Sequence, residues 1–330
     1  MSAKLVRGKA RNLAAAVVAM GLIAIIPPAS AQPYPSRSMT ILVGYSAGGQ
    51  ADALARIVGK QLGENLKVSV VIENKPGANG MIAAQAAARA EPDGYTVLMV
   101  TDAMVTIDPH LASSNHFNLS TAMEPVVNVA WSPLLLAAAN NVPANSVAEL
   151  VALGKQKSQN LSFGSSGSST PHRLAGEMLQ KYGGFTMTHI PYKGTAASVN
   201  DLLGGQIPLL FGAPTAVEPL ATAGRIKVLG VTSEKRYPLF PNVPAISETF
   251  PEFKIISYIG FMLPGKTPKL VIDTLNKEVN QVLASDTMRA WLEKQGMVAF
   301  GGTPDDFKHQ IERDYQARGE LVRALGIANE

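Results

Sequence analysis

Three loops rich in glycine and small hydroxylated residues stand out in this chain of 330 residues, because they could bind an anion without any charged side chain. They comprise residues 45–52, 164–171 and 191–195. Each follows an apolar run typical of a strand and precedes a run typical of a helix. Main-chain N–H groups in such loops point into a concavity, and the start of the next helix adds partial positive charge. The pattern therefore predicts binding positions for a carboxylate.

Two of these loops also have a purely structural interpretation. The first could be a tight turn in which the helix dipole favours Asp52. The second could be a flexible linker, although Thr170 followed by Pro171 is a typical N-cap and first helical position. The three loops together are more informative than any one, because ligands of open α/β sheets sit beyond the carboxyl ends of the strands. Bonds from loop amides to a carboxylate would contribute roughly 1.5–3 kcal/mol each.

Several patterns that resemble catalytic or metal motifs lack the context those motifs need. Residues 260–267 match the literal P-loop string, but the loop residues are bulky and Pro268 stands where the helix should begin. Ser166 lacks the second glycine of a hydrolase elbow, since Ser168 occupies that place. The five histidines lack metal-ligand spacing and cysteine is absent, so we predict no metal, no cofactor and no catalytic residue. The alternative is a secreted α/β hydrolase that acts on a carboxylate-containing molecule through a loop serine near His172.

Residues 1–31 have the layout of a secretory signal peptide, with a basic start, an apolar stretch at 13–26 and a small-residue cleavage signature. The apolar stretch is shorter than the roughly 18–20 residues of a spanning helix, so we predict cleavage after Ala31. The chain has 29 basic and 25 acidic residues, and four basic residues of this leader account for the whole excess: Lys4, Arg7, Lys9 and Arg11. The mature chain is therefore near neutral, and no nucleic-acid partner is expected.

The rest of the chain alternates strand-like and helix-like runs, which is typical of an α/β protein. A first set of these units covers residues 39–100, an apolar crossover follows at 126–139, and a second set covers 147–231. The tail from 269 to 325 is predicted to contain helices and no strand. This pattern leaves open whether the two sets form consecutive domains or one lobe inserted into the other.

Short motifs over nearly the whole mature chain resemble those of the Bug/TctC-type substrate-binding proteins of tripartite tricarboxylate transporters. In chain order they are AGG-x-x-D at 47–52, NKPG at 74–77, PDGYT at 92–96, PYKG at 191–194, LGGQ at 203–206, AGR at 223–225, VTS at 231–233 and NVP at 242–244. Each motif is short, but their number and order make the resemblance specific.

The resemblance implies a two-lobed periplasmic-binding-protein (Venus-flytrap) fold in which lobe 2 is inserted into lobe 1. Lobe 1 would comprise residues 32–131 and 250–330, and lobe 2 residues 132–249. The implied function is capture of a small carboxylate in the periplasm, whether a di- or tricarboxylate, an amino acid or an aromatic acid. The implied protein is a monomer whose partners are membrane permease subunits or, alternatively, a sensor for which it forms the ectodomain.

The resemblance also implies which residues contact the ligand, chiefly through loop amides. The expected contacts are Tyr45, Ala47, Gly48, Gly49, Asp52, Thr101, Asp102, Ser165, Ser166, Gly167, Ser168, Thr170, Tyr192, Gly194, Thr195, Gly212 and Ala213. The chain departs from the family pattern at four places, namely Gly44 for a proline, Ser169 for a glycine, Arg173 for a histidine and Gly212 for a polar residue. Of these, Gly212 is expected to make room for a larger or aromatic acid.

Overall fold

The computed structural model describes residues 34–111, 117–156, 161–168, 170–192 and 194–326. The predicted signal peptide, its cleavage after Ala31 and the departure at Ser169 lie outside the described residues. All the strands and helices below belong to one compact unit that begins at Arg37. Within the described ranges, no helix has both the length and the apolar character needed to cross a membrane.

Eleven strands and twelve helices form the described part of the chain. The strands are β1 (Met39–Val43), β2 (Val70–Asn74), β3 (Thr96–Thr101), β4 (Met123–Pro133), β5 (Leu135–Ala139), β6 (Ser162–Ser165), β7 (Thr188–Pro191), β8 (Leu209–Gly212), β9 (Ile226–Val231), β10 (Ile256–Pro264) and β11 (Val298–Gly301). The helices are α1 (Gln50–Leu66), α2 (Met81–Ala88), α3 (Asp102–Thr106), α4 (Asp108–Leu111), α5 (Leu119–Ala122), α6 (Val147–Gly154), α7 (Pro171–Gly183), α8 (Thr195–Leu203), α9 (Pro214–Thr222), α10 (Lys269–Ala284), α11 (Asp286–Lys294) and α12 (Pro304–Ala324).

The first sheet has six strands in the order β11-β4-β10-β3-β1-β2. Strand β1 pairs in parallel with both β2 and β3, whereas β10 is antiparallel to β3 and β4. Central strands such as β3 are almost continuously apolar because both faces of the sheet are covered. The parallel strands β1, β2 and β3 therefore end at the same edge, where the first glycine-rich loop begins.

The second sheet has five strands in the order β7-β6-β8-β5-β9. Strand β6 is parallel to β7 and β8, and β5 is antiparallel to β8 and β9. The centre of this half is aromatic: Phe163 and Phe211 are fully buried, and their rings meet edge to face with centroids 6.3 Å apart. The three parallel strands end at one edge, and they deliver the serine-rich loop, the Tyr192 loop and Gly212 to it.

The chain passes between the sheets twice, so the second lobe is inserted into the first. Leu134 separates β4 of the first sheet from β5 of the second, and the return runs from β9 to β10. Thr232 joins the two crossovers. Its Oγ1 accepts from the Leu134 N–H at 2.8 Å, its N–H donates to the Leu134 carbonyl, and its carbonyl accepts from the Ile255 N–H. The lobe boundaries at 131/132 and 249/250 stay a prediction.

The expectation of a C-terminal tail without strands is wrong. Strand β11 lies in this tail and pairs with β4 at the edge of the first sheet. Residues 260–264 of the P-loop look-alike lie inside β10, so that sequence does not form a phosphate-binding loop.

Candidate ligand-binding site

The first glycine-rich loop is held in shape by the carboxylate of Asp52 in α1. This carboxylate accepts the Gly48 N–H at 2.9 Å and the side-chain amide of Asn74 at 3.0 Å. The same amide donates to the Tyr45 carbonyl, so the first and last parts of the loop are fixed to the end of β2. Asp52 is only 3% exposed. It therefore supports the loop from within, whereas residues 46–50 of the loop are exposed.

Asp52 has an unusually acidic carboxyl group, which makes a testable prediction for stability. The hydrogen bond from Arg56, followed by that from the Gly48 N–H, lowers the pKa of Asp52 from 3.8 to about 2. Because the folded state favours the ionised form, the contribution of Asp52 to the free energy of unfolding is complete above about pH 4 and disappears as the pH falls towards 2. Urea unfolding between pH 2 and 5 should show a shallower loss of stability for Asp52→Asn than for the wild type.

Glu248, whose pKa is also lowered to about 2, titrates in both proteins and therefore contributes equally to the acid sensitivity of each. Equal slopes would show that Asp52 is not a source of the acid sensitivity.

Gly44, at the start of this loop, is required by a close approach of two backbone segments. A Cβ atom at Gly44 would lie 2.4 Å from the Cα of Gly80. Gly80 ends a turn in which Ala78 and Asn79 also have positive φ, at 46° and 51°. The backbone at Gly80 leaves no space for a side chain at position 44, which explains why this chain has glycine there instead of the proline of the family pattern.

At the end of β3, Thr101 and Asp102 have different surroundings. The Tyr45 hydroxyl and the Thr101 Oγ1 are 2.9 Å apart, which joins the ends of β1 and β3. The side chain of Asp102 is buried and is bound by Arg318 and Ser257, so its carboxylate is not presented to a ligand. Only the main chain of Asp102 is left for the contact that was expected there.

The serine-rich loop of the second lobe is fixed by two serine–histidine pairs. Ser165 Oγ lies 2.7 Å from His189 Nε2, and Ser166 Oγ lies 3.0 Å from His172 Nδ1. The Thr170 hydroxyl donates to the Gly167 carbonyl at 2.7 Å and caps α7 by accepting from the Arg173 N–H. Thr170 and Pro171 therefore begin a helix as predicted, and the described residues of the loop form a hydrogen-bonded structure rather than a flexible linker.

The Tyr192 loop is tied to the serine-rich loop through the main chain. The Tyr192 N–H donates to the Ser165 carbonyl at 3.0 Å, and the Tyr192 hydroxyl donates to Asp201 in α8 at 2.7 Å. Gly194 precedes the N-terminus of α8 with φ of 105°, a conformation that favours glycine. The side chain of Tyr192 thus braces α8, while Gly194 and Thr195 stay partly exposed beside the serine-rich loop.

Gly212 does not provide the extra room that was expected of it. A Cβ atom at this position would lie 2.6 Å from Val217 Cγ2 and 3.4 Å from Leu210 Cδ2. Gly212 itself is buried at the end of β8, and Ala213, which follows, is partly exposed. Val217 and Leu210 occupy the space into which a side chain at this position would point, so Gly212 creates no space for a larger acid.

The expected contact residues fall into two groups by burial. Four are buried and serve the protein interior: Asp52, Asp102, Ser165 and Gly212. The others are partly or fully exposed: Tyr45, Ala47, Gly48, Gly49, Thr101, Ser166, Gly167, Ser168, Thr170, Tyr192, Gly194, Thr195 and Ala213. Sequence reasoning missed the supporting residues His189, Ser257 and Arg318, and it named Asn74 only as part of a family motif.

Loop ends from the two sheets meet near the start of α1. Gln50, directly after the first loop, donates to the Gln295 carbonyl at 3.4 Å. The next residue, Gly296, lies against Pro214 at the start of α9, since a Cβ atom at Gly296 would be 2.7 Å from the Pro214 Cβ. A small cavity of about 20 Å³ opens beside Gln50, between Trp131 and Met297. That volume suits about one water molecule.

The hydrolase alternative is not supported by the geometry around Ser166. Burial lowers the pKa of His172 to about 4, which makes it a weak base at neutral pH. Its Nε2 atom has no hydrogen-bond partner among the described residues, so no carboxylate orients the ring as in a catalytic triad. The described ranges also contain no cluster of histidine and acidic residues able to hold a metal ion.

The fold and these loops define a solute-binding protein of the periplasmic-binding-protein type, and comparison with known proteins gives its family. The sequence model described as "Tripartite tricarboxylate transporter family receptor" (TctC) matches residues 54–327. A UPF0065 protein of Bordetella bronchiseptica is 33% identical over 325 residues, which cover 98% of this chain and 95% of the relative. BugT of Bordetella pertussis is 30% identical, with 96% and 98% covered. The chain belongs to the TctC family of solute-binding proteins.

Solved structures agree with this assignment. The R. palustris protein Rpa4515 with adipate has a TM-score of 0.79 and 31% identity, covering 89% of this chain and 99% of that one. The periplasmic binding protein BugD has a TM-score of 0.75 and 30% identity, covering 90% and 100%. A MatC structure from Rhodopseudomonas palustris with bound malate shares the fold, with a TM-score of 0.75 at 23% identity, covering 88% and 100%.

Proposed function

We propose that this protein is exported to the periplasm, where it captures a small carboxylate between its two lobes and delivers it to the permease of a tripartite tricarboxylate-type transporter. The observation that carries the proposal is the gathering of glycine- and serine-rich loops at the carboxyl ends of parallel strands in both sheets. Such loops offer N–H donors and helix N-termini to an anion. Membership in the TctC family supports the same function.

The ligand carboxylate would be held mainly by main-chain donors. In lobe 1 this donor is the exposed amide of Ala47, which precedes the N-terminus of α1, whereas the Gly48 and Gly49 amides bond to Asp52 and to the Ser46 carbonyl and hold the loop in shape. In lobe 2 they are the amides of Ser166 and Ser168 before α7, and those of Gly194 and Thr195 at the start of α8, while the Gly167 amide bonds to Ser165 Oγ within the loop. Buried Asp52 and Ser165 would act by fixing these loops. Adipate in a relative suggests a small dicarboxylate as a first candidate, and amino acids and aromatic acids are further candidates.

Release and capture would require the lobes to rotate about the two crossovers. Thr232 bonds to both Leu134 and Ile255, so it lies at the centre of this hinge. Hinge closure around a ligand is the usual motion of two-lobed binding proteins. The contact between Pro214 and Gly296 marks one place where the lobes would separate.

Ligand-induced thermal stabilisation tests the proposal. The mature chain from Gln32 would be heated with adipate, succinate, malate, citrate, aspartate, glutamate and benzoate, and with succinamide as an uncharged control. A ligand at 100 times its Kd is expected to stabilise the folded state by about 2.7 kcal/mol. Mass spectrometry should recover that ligand unchanged. The proposal would be refuted if neither these acids nor the small molecules released from freshly purified protein stabilise it, or if the ligand is consumed.

A further inference from the structure

A buried ion pair joins two residues that are far apart in the sequence. Arg318 Nη1 lies 2.5 Å from Asp102 Oδ2, and Asp102 and Arg318 are 1% and 6% exposed. The other Asp102 oxygen accepts from the Ser257 hydroxyl at 3.1 Å. Arg318 Nη2 donates to the Ile256 carbonyl at 2.9 Å. One guanidinium thus binds both the end of β3 and the start of β10.

The position of this pair in the fold gives it more than local significance. Asp102 directly follows Thr101, the partner of Tyr45 at the proposed ligand site. Ile256 and Ser257 are the first residues of β10, where the chain returns from the second sheet. Arg318 belongs to α12, and Val322, one turn later, packs in a core cluster with Leu174 of lobe 2. The pair therefore lies between the site, the hinge and the other lobe.

The chemistry of the pair makes this connection stiff. A planar guanidinium presents its donors in a fixed fork, so Arg318 holds the Asp102 carboxylate and the Ile256 carbonyl in one mutual arrangement. Breaking a buried pair leaves an uncompensated charge, so intermediate arrangements are costly. The first residues of β10 pair with β4 at Pro133 and Ser132, and Arg318 adds the link that holds them to the end of β3. Any rotation of the lobes would then be confined to residue 134 and to the segment that ends before Ile256.

We propose that Arg318 is a positioning residue that fixes where the hinge ends in lobe 1, just before Ile256. In this way it couples the Thr101–Asp102 junction to lobe closure. The coupling to a ligand rests on the proposed function, but the limit on the hinge does not. Lysine at position 318 keeps the charge opposite Asp102 and lacks the fork that also reaches Ile256. The Arg318→Lys variant therefore distinguishes a role that needs only the positive charge from a positioning role that needs the guanidinium fork.

Distances between the lobes provide a direct test. The chain has no cysteine, so Lys60→Cys in α1 and Lys181→Cys in α7, both exposed, would carry spin labels at unique sites. Without any added ligand, Arg318→Lys is expected to broaden the distribution of distances relative to the labelled parent. Arg313→Lys, an exposed change on the same helix, should leave the distribution unchanged. Where an acid binds the parent, its Kd should rise about tenfold in Arg318→Lys.

The outcomes separate this inference from the proposed function. An unchanged ligand-free distribution in Arg318→Lys would refute the positioning role, even if the melting temperature falls. A broadened distribution with no acid bound by the parent would keep the positioning role and refute the proposed function. If Arg318→Lys does not fold, the double variant Asp102→Asn with Arg318→Gln removes both charges and undergoes the same measurement. A parental distribution in that folded variant would equally refute the proposal.

Discussion

Replacing Asp52 with alanine is expected to weaken binding of the carboxylate ligand at least tenfold and to lower the free energy of unfolding by about 1–3 kcal/mol. The carboxylate holds the Gly48 N–H and the Asn74 amide at 2.9 and 3.0 Å, and both donors lose this partner in the variant. Arg56 can return to water because its side chain is 53% exposed. The main loss is therefore the shape of the loop, whose amides would no longer be preorganised for an anion.

Isothermal titration with the acid that gives the largest thermal stabilisation would measure the change in Kd. Asp286→Ala is the matched control, because Asp286 also lies in the first turn of a helix but is fully exposed. That variant should bind like the wild type. Wild-type affinity in Asp52→Ala, together with reduced stability, would show that the first loop contributes to folding and not to ligand binding.

Local sequence patterns predicted the elements that depend on local chemistry. The first set of α/β units was predicted to begin at residue 39, and β1 begins there, since a buried parallel strand is apolar on both faces. Thr170 and Pro171 gave the start of α7, because capping uses side chains next to the helix. The loops of the candidate site were found for the same reason. Their positions follow from the rule that strands of a parallel sheet end at one edge.

Elements that depend on distant partners could not be predicted in this way. Strand β11 has four residues, none of them buried, and it exists because β4 offers an edge on which to pair. The partners of Asp102 could not be predicted from the sequence either, since Arg318 lies 216 residues away along the chain. Periodicity and turn chemistry carry no information about such pairs. Asp102 was therefore expected to face a ligand, whereas its carboxylate faces the interior.

Gly212 illustrates how a glycine can be misinterpreted. A missing side chain suggests open space, but the space is defined by neighbours that the sequence does not place. Here Val217, one turn into α9, occupies the direction in which a Cβ would point. The size of the ligand must therefore be determined by other parts of the site.

A second glycine gives the other large prediction: Gly176→Ala is expected to lower the free energy of unfolding by about 1–2 kcal/mol net. Alanine in a helix interior normally stabilises by about 1 kcal/mol relative to glycine. At Gly176, however, the new Cβ would lie 2.0 Å from Phe163 Cε2, closer than any real contact. Phe163 is fully buried and its ring packs against His189 and Phe211, so it has little space to move. Overpacking costs of 1–3 kcal/mol or more outweigh the gain in helix propensity.

Chemical denaturation of a double-mutant cycle would identify the cause. Phe163→Leu removes the atoms that collide with the new Cβ, so the double variant should be more stable than the sum of the single effects predicts, by 1 kcal/mol or more. Because α7 follows the serine-rich loop, Gly176→Ala should also displace that loop and weaken ligand binding, and Phe163→Leu should partly restore the affinity. Strict additivity of the two changes would show that the collision with Phe163 is relieved elsewhere. The close packing of α7 on β6 would then not be what positions the loop.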